Sequence, residues 1–200
     1  MQFLPEHIYH LYNQGNNRDP LFFNRDNYLY FLKGVKKHLT KHAHLLAWCL
    51  MPNHYHFLIK VKPKYESIDS NNVDKKIGAL NRSIGILQSS YTQAINKKMG
   101  RSGSLFRTRA KSKSLNDQRH LHNNYALNCF LYIHQNPMRA GLTKSLQDWE
   151  FSSYKDYAGL RNGELCNYEL TKEILHLPDD QEQFESFSNQ TIPEQFLKTF

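Results

Sequence analysis

Two histidines one residue apart, His54 and His56, lie in Met51-Pro52-Asn53-His54-Tyr55-His56-Phe57-Leu58-Ile59. The aromatic and branched apolar neighbours are strand chemistry. A strand alternates its faces, so both imidazoles project to one side, close enough to share one ion. Imidazole nitrogens ligate divalent metals, which makes the pair a candidate metal site. The plainer alternative is a partly buried pair with a packing role, in a chain of eleven histidines. Tyr132 and Asn136 form a second pair. Four residues apart on a helix, they stack one turn above the other. The carboxamide oxygen could complete a metal shell, and the phenol would then lie beside the ion. Taken singly, Tyr132 is one of twelve tyrosines, and Asn136 precedes Pro137, where helices commonly end.

Arg107, Arg109, Lys111 and Lys113 make a third set, alternating with Phe106, Thr108, Ala110 and Ser112. As a strand over Ser104–Lys113, they set four cations in one row. Lys97 to Lys113 holds seven basic residues and no acidic one. A solvated edge strand is the ordinary reading, since lysines there deter aggregation. Repulsion among four like charges in line favours a track for backbone phosphates, with Arg101 and Arg119 as additional cations.

These groups need a scaffold, and the apolar spacing outlines one. His7–Asn13 reads as a strand ended by Gly15-Asn16-Asn17. A helix is predicted over Asp26–Lys41, where Tyr28, Phe31, Leu32, Val35 and Leu39 recur at helical spacing. His44–Met51 reads as a central strand, joined through Pro52-Asn53 to the histidine strand as a hairpin. Lys62–Asn72 is polar and loop-like. Val73–Met99 carries Ile77, Leu80, Ile84, Leu87, Tyr91 and Ile95 at three- and four-residue intervals, with Gly100 as its stop.

A further helix is predicted from Asn116 or Asp117 to near Asn136. At 100° per residue, Ala126, Leu127, Phe130, Leu131 and Ile133 form its apolar stripe, with Tyr125, Asn128, Tyr132 and Asn136 opposite. Trp149, Phe151, Tyr154 and Tyr157 are expected to pack back on the core. From Leu160 the chain turns acidic and less regular, with one short helix over Glu169–Leu175 and a flexible end.

Two hundred residues suit one ordinary domain with an appendage. We divide the chain at residue 160, with 161–200 as a partly flexible acidic extension. No apolar run approaches a membrane span, and no signal peptide is evident. Three scattered cysteines fit a reduced cytoplasmic setting and argue against a cysteine zinc site. The net charge of +8 is uneven. Residues 1–160 hold 23 of the 26 Lys and Arg and 10 of the 18 Asp and Glu, or +13, leaving −5 for the remainder. So basic a body points to a polyanionic partner, nucleic acid first.

Ala47-Trp48-Cys49-Leu50-Met51-Pro52-Asn53-His54-Tyr55-His56 resembles the signature of the HUH single-tyrosine transposases, most closely their REP-associated branch within the IS200-like transposase family. Three further segments resemble that branch in the same order. They are Tyr12-Asn13-Gln14-Gly15-Asn16-Asn17-Arg18, Gly100-Arg101-Ser102-Gly103-Ser104-Leu105-Phe106, and Tyr132-Ile133-His134-Gln135-Asn136-Pro137-Met138-Arg139-Ala140-Gly141-Leu142. Trp149-Glu150-Phe151-Ser152-Ser153-Tyr154 extends the likeness, which spans residues 5–160.

The resemblance implies an α+β, ferredoxin-like βαββαβ antiparallel sheet with helices on one face, plus a catalytic-tyrosine helix. It also implies cleavage and rejoining of single-stranded, hairpin-forming DNA in a prokaryotic cytoplasm. Tyr132 would be the nucleophile. His54, His56 and Asn136 would hold a divalent metal, Mg2+ or Mn2+. A monomer or a homodimer is compatible with it, and so is a tyrosine acting in cis or in trans. Tyr55 departs from the usual aliphatic residue, which suits a core-facing position. His134 falls on the apolar stripe and reads as structural.

Rival readings remain at this stage. A non-catalytic DNA- or RNA-binding protein derived from such a transposase would use the basic track alone. A metal-dependent hydrolase would want a carboxylate near the histidines, and neither motif has one close in sequence.

Overall fold

The computed structural model describes residues 2–63, 73–116 and 125–198. Strand β1 (Ile8–Gln14), helix α1 (Arg25–His38), strands β2 (Ala43–Met51) and β3 (His54–Val61), helix α2 (Val73–Met99) and strand β4 (Lys111–Ser114) follow one another as βαββαβ. The sheet order is β2-β3-β1-β4 and its pairings are antiparallel. This is the ferredoxin-like arrangement the sequence predicts.

Helix α1 starts where the Asn24 side chain accepts a hydrogen bond from Asn27 N, and it buries Tyr28, Phe31 and Val35. It ends at His38, three residues short of the expected Lys41. There Leu39 N bonds Val35 O and the Thr40 hydroxyl donates to Lys36 O. Helices α1 and α2 cover one face of the sheet, packing Phe31, Val35, Leu80, Ile84, Leu87 and Tyr91 against Tyr9, Leu11, Tyr55, Phe57 and Ile59.

Helix α3 (Tyr125–Arg139) covers the other face, with Phe130 and Ile133 packed beside Ile8, Leu46, Cys49 and Leu58. A register shift between Leu45 and Ala47 turns Leu46 and Ala47 to the same side, so that Leu45 and Trp48 share the other. A β-bulge does this by inserting one residue into the alternation.

The outer edge of β2 is not left bare. Leu50 N bonds Phe151 O, Ser153 N bonds Trp48 O and Asn167 N bonds Leu45 O, so an irregular segment blocks further strand pairing. Arg161 holds that segment by donating to the carbonyls of Glu150 and Ser152 and to the carboxylate of Asp156. The aromatic cluster packs inward as expected: Phe151 stacks on Tyr28 at 3.7 Å, and Trp149 Nε1 donates to Leu50 O.

Three sequence expectations need correction. The predicted strand over Ser104–Lys113 is regular only over Lys111–Ser114. Continuing the β1–β4 register would set Arg109 opposite Gln14, yet Gln14 O accepts from Arg107 N instead. The Asn13 side chain donates to Arg107 O, so residues 108 and 109 are thrown out of the ladder. The single row of four cations is therefore broken.

Secondly, Asn116 is not helical; its side-chain oxygen accepts from Ile8 N. Residues 117–124, where the helix start and Arg119 were expected, lie outside the described residues. At the other end α3 runs through Pro137, with Ala140 N bonding Asn136 O, and stops before Gly141 in the left-handed region at φ 70°.

Thirdly, the acidic extension is more regular than its composition suggests. After α4 (Tyr154–Tyr157) come α5 (Tyr168–Leu175), α6 (Gln181–Ser188) and α7 (Glu194–Leu197). Leu175, Phe184, Ile192 and Phe196 join the core that contains α3. Among the described residues no helix is long and apolar enough to cross a membrane.

Candidate active site

Met51 pairs with His54 across the two-residue Pro52–Asn53 turn, which fixes the register of β3. On the other side β1 sets Gln14 opposite His54, Tyr12 opposite His56 and His10 opposite Leu58. Alternation then gives His10, Tyr12, His54 and His56 one common face, the one beneath α3. Their rings form a compact group. The His54 and His56 centroids lie 5.0 Å apart, His10 and His56 also 5.0 Å, and Tyr12 stacks on His10 at 4.8 Å.

Helix α3 delivers the remaining two groups. The Tyr132 ring stands edge-on to His56 at 5.5 Å and to His10 at 6.1 Å. Asn136, one turn on, comes within side-chain hydrogen-bonding reach of both His54 and Tyr132. The fold thus brings His54, His56, Tyr132 and Asn136 together within one chain. The helix is not the one-sided amphipath its sequence predicts. Tyr125 is buried with its ring edge-on to Phe196 of α7, and Asn136 is buried at the histidine site on the sheet, while Ala126 and Leu127 are half-buried.

Electrostatics keep the imidazoles neutral. Burial lowers His54, opposed by its hydrogen bond to Asn136. Burial, then the neighbouring His10 and His54, push His56 well below the usual imidazole range. Burial also raises the Tyr132 phenol, opposed by Asn136 and Arg139. Neutral nitrogens are what metal ligation requires. His56 Nε2 is buried, with no hydrogen-bond partner among the described residues. An unpaired ring nitrogen next to His54, which the Asn136 carboxamide reaches, fits a cation site. Among the described residues no three His, Cys, Asp or Glu side chains gather as a metal site, so the candidate set is two imidazoles and the Asn136 amide.

His134, expected to be structural, is buried against Phe130 and bonds the Ser153 hydroxyl at 2.7 Å. Of the expected DNA-contacting cations, Arg107, Arg109 and Lys111 are exposed, and Arg101 is half-buried beside the Phe23 ring. Lys113 is half-buried, donates to the Tyr125 hydroxyl and lies over its ring. Sequence reasoning passed over two polar neighbours of the site, His10 and Asn53. The available signal was parity: His10 and Tyr12 share a face of β1, but only the β1–β3 register reveals that it is the face of His56.

The family whose model matches this chain is "transposase IS200 like", over residues 4–119. That match spans more than half the chain and includes both histidines, so the protein belongs to the IS200-like transposase family. It stops short of α3, so Tyr132 and Asn136 lie beyond it. No curated protein matches. Among solved structures, the REP-associated tyrosine transposase bound to a REP hairpin is 17% identical, with 84% of this chain and 92% of that chain covered and a TM-score of 0.54. The two share a fold. A bacterial tRNA(His) guanylyltransferase-like protein in complex with GTP is 12% identical over 74% of this chain and 72% of its own, at TM-score 0.41.

Proposed function

We propose that this protein cuts and rejoins single-stranded DNA through a covalent bond to Tyr132. The convergence of Tyr132 and Asn136 on His54 and His56 carries this reading. A divalent cation, Mg2+ or Mn2+, held by three neutral donors would keep its full charge for a non-bridging oxygen of the scissile phosphate. Tyr132 Oη attacks phosphorus. The new O–P bond forms as the bond from phosphorus to the 3′ oxygen breaks, and that oxygen leaves as a hydroxyl carrying a proton in place of the one the phenol loses. The product is a 5′-phosphotyrosine. One phosphodiester replaces another, so a second 3′-hydroxyl can reverse the step and join new ends without ATP.

Burial keeps the phenol protonated at neutral pH, so it becomes a competent nucleophile only beside positive charge. Asn136, in reach of Tyr132 and His54, aligns phenol and ligand. Tyr132 stands beside the histidines of its own chain, which supports catalysis in cis by a monomer. A hairpin-forming strand is the substrate we favour, because the REP-associated transposase of like fold was solved on a REP hairpin. Arg101, Arg107, Arg109, Lys111, Lys113 and Arg119 are the proposed phosphate contacts, serving a strand whose unpaired bases exposed aromatics can stack.

The test is a covalent-adduct assay. Wild-type protein, Mn2+ and a single-stranded hairpin oligonucleotide should give a denaturation-resistant protein–DNA band. Tyr132→Phe should give none, and an adduct from that variant would remove Tyr132 as the nucleophile.

A further inference from the structure

Each candidate ligand already has its second ring nitrogen engaged. His54 Nδ1 lies 2.6 Å from Asn53 Oδ1, and His56 Nδ1 lies 2.9 Å from His10 Nε2. For His54 the direction of the bond follows from the far end of the amide. Asn53 Nδ2 donates to the Arg18 carbonyl at 3.1 Å, so the oxygen is the atom turned toward the ring. A carbonyl oxygen only accepts. His54 therefore carries its proton on Nδ1 and its lone pair on Nε2.

For His56 the bond could run either way. If His10 donated, the His56 proton would sit on Nε2, leaving a buried N–H with no acceptor among the described residues. If His56 donates, Nε2 holds a lone pair, and His10 receives the proton's bond. The second arrangement puts the His10 proton on its own Nδ1, so the two differ in where the remaining N–H sits and not in how many there are. A cation decides between them, because only the second offers it a lone pair on His56 Nε2.

We infer that Asn53 and His10 are positioning residues that hold His54 and His56 in the Nδ1-protonated tautomer, presenting both Nε2 lone pairs to one cation. This rests on the metal-site reading above. The supports are themselves braced. Asn53 O accepts from Gly15 N at 2.8 Å, which ties the hairpin tip to the turn after β1, and that turn is itself tight, since a Cβ on Gly15 would meet Asp19 O at 2.1 Å. His10 is fully buried in the centre of the sheet, its ring stacked on Tyr12 and edge-on to Tyr132. Outer partners of this kind fix ring orientation as well as tautomer.

The experiment titrates Mn2+ into the full chain, following the free ion by electron paramagnetic resonance, and reads ring tautomers by 15N NMR on the metal-free protein. His10→Leu and Asn53→Ala should each weaken Mn2+ binding by about 10- to 100-fold. His10→Gln, which keeps an acceptor, should stay within a few-fold of wild type. The ring signals of His54 and His56 should report protonation on Nδ1. Wild-type affinity in both Leu and Ala variants, or a proton on Nε2 of either ring, overturns the inference. Asn53 sits at the half-exposed hairpin tip, and the NMR needs no substitution, so a His10 variant that fails to fold leaves both tests standing. Should wild type bind no Mn2+ while its rings are Nδ1-protonated, the metal reading falls and the tautomer lock survives.

Discussion

On β3, Tyr55, Phe57 and Ile59 point into the layer beneath α1 and α2, whereas His54, His56 and Leu58 point toward α3. One strand thus serves a dry aromatic core and a polar site through alternate residues. Phe57 touches Phe31 and Tyr55. Its neighbour His56 touches two histidine rings and two phenols. Stability and chemistry are divided by parity, and what keeps them apart is register. A one-residue slip would exchange the two sets completely. The bulge at Leu45–Ala47 and the tight Pro52–Asn53 turn guard against that slip.

The sharpest way to break this comparison is to truncate adjacent residues on opposite faces. His56→Ala should lower the adduct rate by about 10²- to 10³-fold, the range for removing one preorganised contact to a transition state. Phe57→Ala should cost about 3–5 kcal/mol in chemical denaturation yet still form adduct wherever it is folded. If Phe57→Ala loses adduct while fully folded, the faces are coupled and the division by parity fails. Phe184→Ala, in the extension, should destabilise on a similar scale, about 3–5 kcal/mol, because its ring lies against Phe130 in the core beneath α3. Unchanged denaturation would make the extension an ornament.

The hairpin and its two histidines were legible in the sequence because a two-residue turn and strict alternation are local. So was α2, whose apolar spacing carries it from Val73 to Met99. What escaped was set by distant partners. The two-sided burial of α3 depends on Phe184 and Phe196, about fifty residues later, and an acidic composition concealed them. The break in the basic strand accompanies bonds that join Arg107 to Gln14 and Asn13 of β1, more than ninety residues earlier. His10 became visible only through the register of β1 on β3. Local pattern shows elements and their faces, while tertiary pairing decides which faces meet.

That break also changes what the cations should do. Arg107 is tied to β1 through its backbone and Arg109 lies outside the ladder, yet both are exposed, whereas Lys113 is committed to Tyr125. Replacing both arginines with alanine should reduce the slope of log affinity against log salt by about 1.4 for a single strand, near 0.7 per phosphate contact. Lys113→Ala should change it less. Equal effects would restore the uniform track.

The smallest expected effect is the most discriminating about the two faces. Tyr55 sits between the ligand histidines in sequence but is fully buried on the opposite side, where its hydroxyl accepts from Gln88 Nε2 at 2.6 Å. Tyr55→Phe keeps the ring in place and removes that one bond, so denaturation should register a loss of about 1 kcal/mol. Adduct formation and Mn2+ affinity should not move. A fall in either, with stability nearly intact, would mean that α2 steers the ligands through β3 and that parity alone does not insulate the site.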